Sequence, residues 1–104
     1  MSETDQITDL AIKVSHGATE AAKLGYLAMW TLYKQPSDFP NGYVVRKFLT
    51  GGGLPAPMST QEAFGTTGVT DADLEQLREV FYRAGMTFLM RTEGDEPHIV
   101  GTWL

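Results

Sequence analysis

The longest apolar run in the chain, Tyr26-Leu27-Ala28-Met29-Trp30-Thr31-Leu32-Tyr33, is only strand-length, and a proline-rich segment closes it almost at once. Its aromatic and apolar character suits a strand covered on much of both faces. Pro36-Ser37-Asp38-Phe39-Pro40-Asn41-Gly42 follows; Asn41-Gly42 readily takes positive φ, and the two prolines donate nothing to a ladder. Tyr43-Val44-Val45-Arg46-Lys47-Phe48-Leu49 then reads as the returning strand. The pattern predicts a hairpin with a long, structured loop and strands near 26–34 and 43–50. No run approaches the roughly 18 apolar residues that a membrane span requires, so no membrane association is expected.

Helical periodicity flanks this hairpin on both sides. Ile7, Leu10, Ala11, Val14, Ala18, Ala21 and Ala22 recur at three- and four-residue steps and make one apolar face. Ser2 with Asp5 gives a weak N-cap signal, and Gly25 is a stop. Alanine dominates the later part of the face, which therefore buries little area per turn. After residue 69, Thr70 and Asp71 are good N-caps, and Asp73 and Glu75 favour the positive end of the helix dipole. Leu74, Leu77, Phe81 and Ala84 form the stripe, with Val80 beside it and Gly85 at the stop position.

Between hairpin and second helix, residues 51–69 hold Gly51-Gly52-Gly53, Pro55, Pro57, Gly65 and Gly68, which reads as a surface crossover loop. Two further strands are expected near 86–92 and 98–104, with a turn at Glu93-Gly94-Asp95-Glu96-Pro97. The order α-β-β-α-β-β predicts an α+β fold with one antiparallel sheet and helices packed on one face. At 104 residues the chain suits one domain, residues 1–104, made of an N-terminal helix (1–25) and a hairpin–helix–hairpin unit (26–104).

Charge is divided unevenly. Residues 1–50 hold five acids and five bases, whereas residues 51–104 hold eight acids against Arg78, Arg83 and Arg91. An acidic surface repels phosphate backbones, so direct nucleic-acid binding is disfavoured and a basic protein partner is the better match. The acidic start, Met1-Ser2-Glu3-Thr4-Asp5-Gln6, is unlike the basic opening of a signal peptide, which makes a cytoplasmic location the expectation. No cysteine is present, so disulfides, thiolate nucleophiles and cysteine metal sites are all absent from the repertoire.

Two stretches carry a resemblance. Trp30-Thr31-Leu32-Tyr33 through Pro36-Ser37-Asp38-Phe39-Pro40 and Tyr43-Val44-Val45-Arg46 is one; the other is Asp95-Glu96-Pro97-His98-Ile99-Val100-Gly101-Thr102-Trp103. Together they resemble a group of small bacterial and phage-borne proteins that share a Pro-x-Asp-aromatic-Pro hairpin loop and an Asp-x-Pro-x-Ile-Val-x-x-Trp ending. The resemblance covers about residues 30–104 and implies the hairpin–helix–hairpin arrangement. It leaves the N-terminal helix as an added element and carries no functional residue.

Chemistry-bearing side chains are few. His16 and Glu20, four apart on a helix, could face one metal, but the only other histidine is distant His98, so an exposed polar pair is the preferred reading. Asp95, Glu96 and His98 could support proton transfer, yet no nucleophile is motif-marked beside them. Gly51-Gly52-Gly53 lacks the lysine and helix start of a phosphate loop. Arg46 or Lys47 could join Arg91 on an anion if the hairpins adjoin, although alternation puts Arg46 and Lys47 on opposite faces. Phe39, held between two prolines, suits an interface anchor.

These features favour a non-enzymatic binding or regulatory protein that acts through a protein partner or by self-association. The expected contacts are Phe39, Glu75, Glu79, Asp95 and Glu96, with no cofactor or metal and with the N-terminal helix available for a homodimer. A phage-type inhibitor such as an anti-CRISPR is one form of this expectation. The alternative is a small enzyme or metabolite binder using Arg46, Arg91, Asp95 and His98.

Overall fold

One aromatic ring organises the core. Phe81 is wholly buried and stacks on Trp103 with ring centroids 4.1 Å apart and planes 6° from parallel. Phe64 lies near-parallel to it at 6.0 Å, and Trp30 is tilted against it at 6.1 Å. Phe88 extends the cluster beyond Trp103 at 4.8 Å. These rings come from four strands and one helix, so the cluster joins most of the chain at one point.

The computed structural model describes residues 3–92, 94 and 96–104, so Glu93 and the candidate contact Asp95 lie outside the described residues. The elements run α1 (Glu3–Lys23), β1 (Tyr26–Lys34), β2 (Tyr43–Gly51), β3 (Met58–Gly65), α2 (Asp71–Arg83), β4 (Phe88–Met90) and β5 (Ile99–Trp103). The strands form one antiparallel sheet in the order β3-β2-β1-β5-β4. The α+β fold read from the sequence is thus observed, with one strand more than the six expected elements.

That additional strand corrects the reading of residues 51–69 as a loop. Only residues 52–57 and 66–69 lie outside the strands, while Met58–Gly65 pairs with β2. Phe64 is the large apolar side chain that β3 packs against the core, so the strand carries almost no period-two signal of its own. Strand β4 departs in the other direction, shrinking from 86–92 to Phe88–Met90. At the start of the strand the cause lies at the end of α2. Gly85 takes φ +77° and the Met86 N–H donates to the Phe81 carbonyl, a Schellman closure that draws Met86 into the helix cap. At the other end, Thr70 and Asp73 form a reciprocal capping box.

Both helices cover one face of the sheet. Ala28, Trp30 and Leu32 of β1, Tyr43 and Val45 of β2, and Trp103 of β5 meet Val14 and Ala21 of α1 and Leu77, Val80 and Phe81 of α2. Phe88 packs over Gly101, where a Cβ would fall 2.2 Å from the ring, so this strand position accepts only glycine. The opposite face carries Leu27, Met29, Thr31 and Tyr33 with Val44, Arg46 and Phe48, and no helix of the described residues lies over it. The apolar stripe of α1, treated above as a possible added element, packs within its own chain: Ile7, Leu10 and Ala18 also lie against the shared core.

Two outcomes follow from this packing. Phe81→Ala removes the ring shared by the cluster and is expected to cost about 3–5 kcal/mol in urea unfolding. Deletion of residues 1–24 uncovers one side of the core and is expected to abolish the cooperative transition. A truncated chain with well-dispersed amide resonances and an unchanged unfolding slope would show that α1 is dispensable.

Candidate functional site

The expected contacts do not gather in one place. Glu75 and Glu79 lie on α2, where each meets an arginine of its own helix: Glu75 with Arg78 at 3.1 Å and Glu79 with Arg83 at 2.8 Å. Arg83 also donates to Thr8 Oγ1 at 3.1 Å, tying α2 to α1. Their charge is thus compensated locally. The spacings i,i+3 and i,i+4 make such pairs legible in the sequence.

Phe39 and Glu96 do share a region, the end of the sheet formed by the β1–β2 loop and the β4–β5 turn. The loop is held by the Gln35 N–H donating to the Gly42 carbonyl and the Phe39 N–H donating to the Pro36 carbonyl. Phe39 remains 41% exposed on it. From the same loop Asp38 accepts a hydrogen bond from the Arg46 guanidinium, which also lies 5.0 Å from the Tyr33 ring centroid. That bond holds the Asp38 carboxyl below its ordinary range and raises Arg46 further. Tyr33 is pushed up chiefly by burial, with Arg46 opposing and Glu96 reinforcing the shift. His98 reaches the Lys34 carbonyl through Nδ1 at 3.2 Å, and the Lys34 N–H donates to the His98 carbonyl.

The proposed arginine pair is not brought together. Arg46 is on β2 and Arg91 follows β4, with β1 and β5 between them in the sheet. Three strand spacings amount to about 14 Å. Arg46 pairs with an acid instead, the ordinary fate of a surface charge.

A concavity lies elsewhere, a groove of about 530 Å³ between α1 and the β2–β3 edge of the sheet. Trp30, Val14 and Phe64 line its base; Lys13, His16 and Lys47 bring basic side chains to it, and Asp9, Glu20 and Glu62 acidic ones. His16 and Glu20 thus border a real cavity, although no group of three metal-type ligands exists among the described residues. Glu20 is paired with Lys23 at 3.4 Å.

A strand irregularity shapes one wall of this groove. Arg46 pairs with Ala63 and Phe48 with Ser59, so Lys47 alone stands opposite Thr60, Gln61 and Glu62. The excursion is fixed locally: Gln61 takes φ +66°, the Gln61 N–H donates to Ser59 Oγ, and the Glu62 N–H donates to Thr60 Oγ1. Thr60 Oγ1 in turn donates to the Lys47 carbonyl at 3.2 Å. Bulges of this kind re-aim side chains, and here the result is Glu62 Oε2 at 2.9 Å from Lys47 Nζ. The ammonium sits 5.8 Å from the Trp30 ring centroid. Gly17 allows α1 to approach, since a Cβ there would lie 3.1 Å from Lys47 Nζ and 3.4 Å from the Trp30 ring.

Sequence reasoning reached Lys47 only as one of three bases. The available signal was that 43, 45, 47 and 49 share a strand face, so Lys47 points toward the core side. Glu62 was out of reach because its strand was not recognised. Compared with models of known protein families, with curated proteins and with solved structures, the chain matches none.

The Lys47 bond is the main cause that holds the Glu62 carboxyl below its ordinary range, with Lys13 adding to it. A lowered folded-state value means that this contact stabilises the fold fully above the unfolded glutamate value of about 4.3. The contribution is lost as pH falls through the lowered value. Carbon-detected NMR titration is expected to place Glu62 below the ordinary glutamate value, and Lys47→Met to return it toward that value. An unmoved Glu62 midpoint in Lys47→Met would disprove the pairing.

Proposed function

We propose that the protein is a non-enzymatic binding or regulatory protein that acts on a protein partner through the loop end of its sheet. What carries the reading is Phe39, an exposed aromatic on a loop braced by two prolines and by the Asp38–Arg46 pair, with Glu96 acting electrostatically on that same arginine. Aromatic anchors on ordered loops suit protein interfaces, because little freedom is lost on binding. Glu96, at the same end of the sheet, favours a basic group on the partner. A second copy of the chain is the other candidate partner, and inhibition of a host or defence protein, as by an anti-CRISPR, is one biological form that the reading takes.

No helix among the described residues is long and apolar enough to cross a membrane. The acids of α2 are secondary in this proposal, because Arg78 and Arg83 already compensate them. Capture from the native host with wild-type chain as bait, set against Phe39→Ala and Glu96→Lys baits, identifies the partner by its selective loss. Association is expected to slow with Glu96→Lys and to weaken above about 0.15 M salt, where the screening length is roughly 8 Å. Glu75→Lys is expected to have the smaller effect. A partner retained equally by all baits, or binding indifferent to salt, would refute the loop-end interface.

A further inference from the structure

We infer that the groove between α1 and the β2–β3 bulge is a binding site for a small apolar monocarboxylate, whose carboxylate takes the place of Glu62 on the Lys47 ammonium. The site faces the helix side of the sheet and is separate from the loop end, so this inference stands independently of the protein-partner reading.

The choice of an anion follows from which member of the ion pair is fixed. Lys47 lies on the second strand of the sheet with its side chain only 13% exposed, beneath α1 at Gly17 and against Trp30. Its partner Glu62 is 51% exposed and stands on the outer strand, within a three-residue excursion that leaves the regular ladder. The cation is therefore built into the groove, whereas the half-exposed carboxylate, held by Lys47 and by a side-chain hydrogen bond from Thr60, is the member that can turn out into water. An incoming carboxylate also meets Lys13, which already acts on Glu62 from α1.

The rest of the ligand is set by the walls. Val14, Trp30 and Phe64 offer apolar surface, with Ile12 half-exposed at the margin. About 530 Å³ falls within the range of small-molecule sites, roughly 300–1,000 Å³. Asp9 and Glu20 border the same space, so the groove as a whole is not strongly basic. Nor does it begin a helix, whose free N–H groups would favour phosphate. A single negative charge on an apolar body fits; a phosphate dianion does not.

The test titrates the full ¹⁵N-labelled chain with benzoate, indole-3-acetate and octanoate, beside acetate, inorganic phosphate and the neutral indole-3-acetamide. At least one of the three apolar acids is expected to give saturable shifts confined to Lys13, Gly17, Lys47, Glu62, Phe64 and the Trp30 indole N–H. The neutral amide and acetate should bind at least about tenfold more weakly, the loss expected when a charge-assisted bond or the apolar contact is removed. Lys47→Met, which keeps the apolar stem, should lose binding by about tenfold or more, and Glu62→Gln should tighten it by freeing the ammonium. Absence of saturable shifts with all three acids, shifts outside the groove, phosphate binding as well as the acids, or weaker binding by Glu62→Gln would each overturn the assignment. Should Lys47→Met fail to fold, the Glu62→Gln arm still decides.

Discussion

The face-to-face stack of Phe81 on Trp103 is the contact on which the remaining structure depends. Trp103 ends β5 and pairs in register with both Trp30 and Phe88, so it joins β1 to β4. Phe81 sits in the last turn of α2 and reaches Phe64 of β3 from the same position. A chain this size buries only about two-thirds of its unfolded surface, and much of α1 contributes alanine. Large rings at the centre supply apolar area that the first helix does not. They also fix the distance between helix layer and sheet, because stacked rings tolerate little compression or separation.

That spacing shapes the groove. Rings fill the region under α2, while α1 closes over the sheet through Val14, Ala18 and Ala21, which are small. Where α1 passes Lys47 it presents Gly17, and the space beyond the helix toward β3 is left open. A cation on the core face of a strand would ordinarily be a burden, since an isolated buried charge is costly. Here the β3 excursion supplies a carboxylate from the side and Trp30 a ring face from below. Among the described residues no buried side-chain polar atom is left without a partner.

Much of the fold was legible because local signals agreed with one another. The first hairpin was delimited by Gly25, Pro36 and Asn41-Gly42, and its strands span 26–34 and 43–51 as read, to within a residue. Thr70, Asp73 and Gly85 mark the limits of α2 through capping chemistry that short-range sequence contains. What escaped was whatever depends on a distant partner. Strand β3 exists because β2 offers it a ladder, and its own residues, Met58-Ser59-Thr60-Gln61-Glu62-Ala63-Phe64-Gly65, lack alternation. With β3 unread, neither the Lys47–Glu62 pair nor the groove above it could be anticipated. The fate of α1 was hidden for a similar reason: an alanine-rich stripe looks weak alone, and only the shape of the opposing sheet makes small side chains the right ones.

Arg46 and Lys47 show how one strand organises both sides of the molecule. Neighbours in sequence, they point to opposite faces, and each holds an acid from a peripheral segment: Asp38 from the hairpin loop and Glu62 from the outer strand. The two pairs differ in surroundings. Arg46 keeps 29% of its side chain exposed against 13% for Lys47, and Asp38 is more open than Glu62. Charge interactions weaken as water gains access, so the more open Arg46 pair is the more readily screened of the two. The hairpin loop is restrained further by its prolines and its own backbone hydrogen bonds, whereas at Glu62 the backbone is held by its N–H on Thr60 Oγ1 and the carboxylate stays half-exposed. A rigid loop carrying an exposed ring suits recognition by a large partner, whereas a movable carboxylate over a fixed ammonium suits exchange with a small one. The same strand therefore presents two kinds of surface, and the alternation of its side chains keeps them apart.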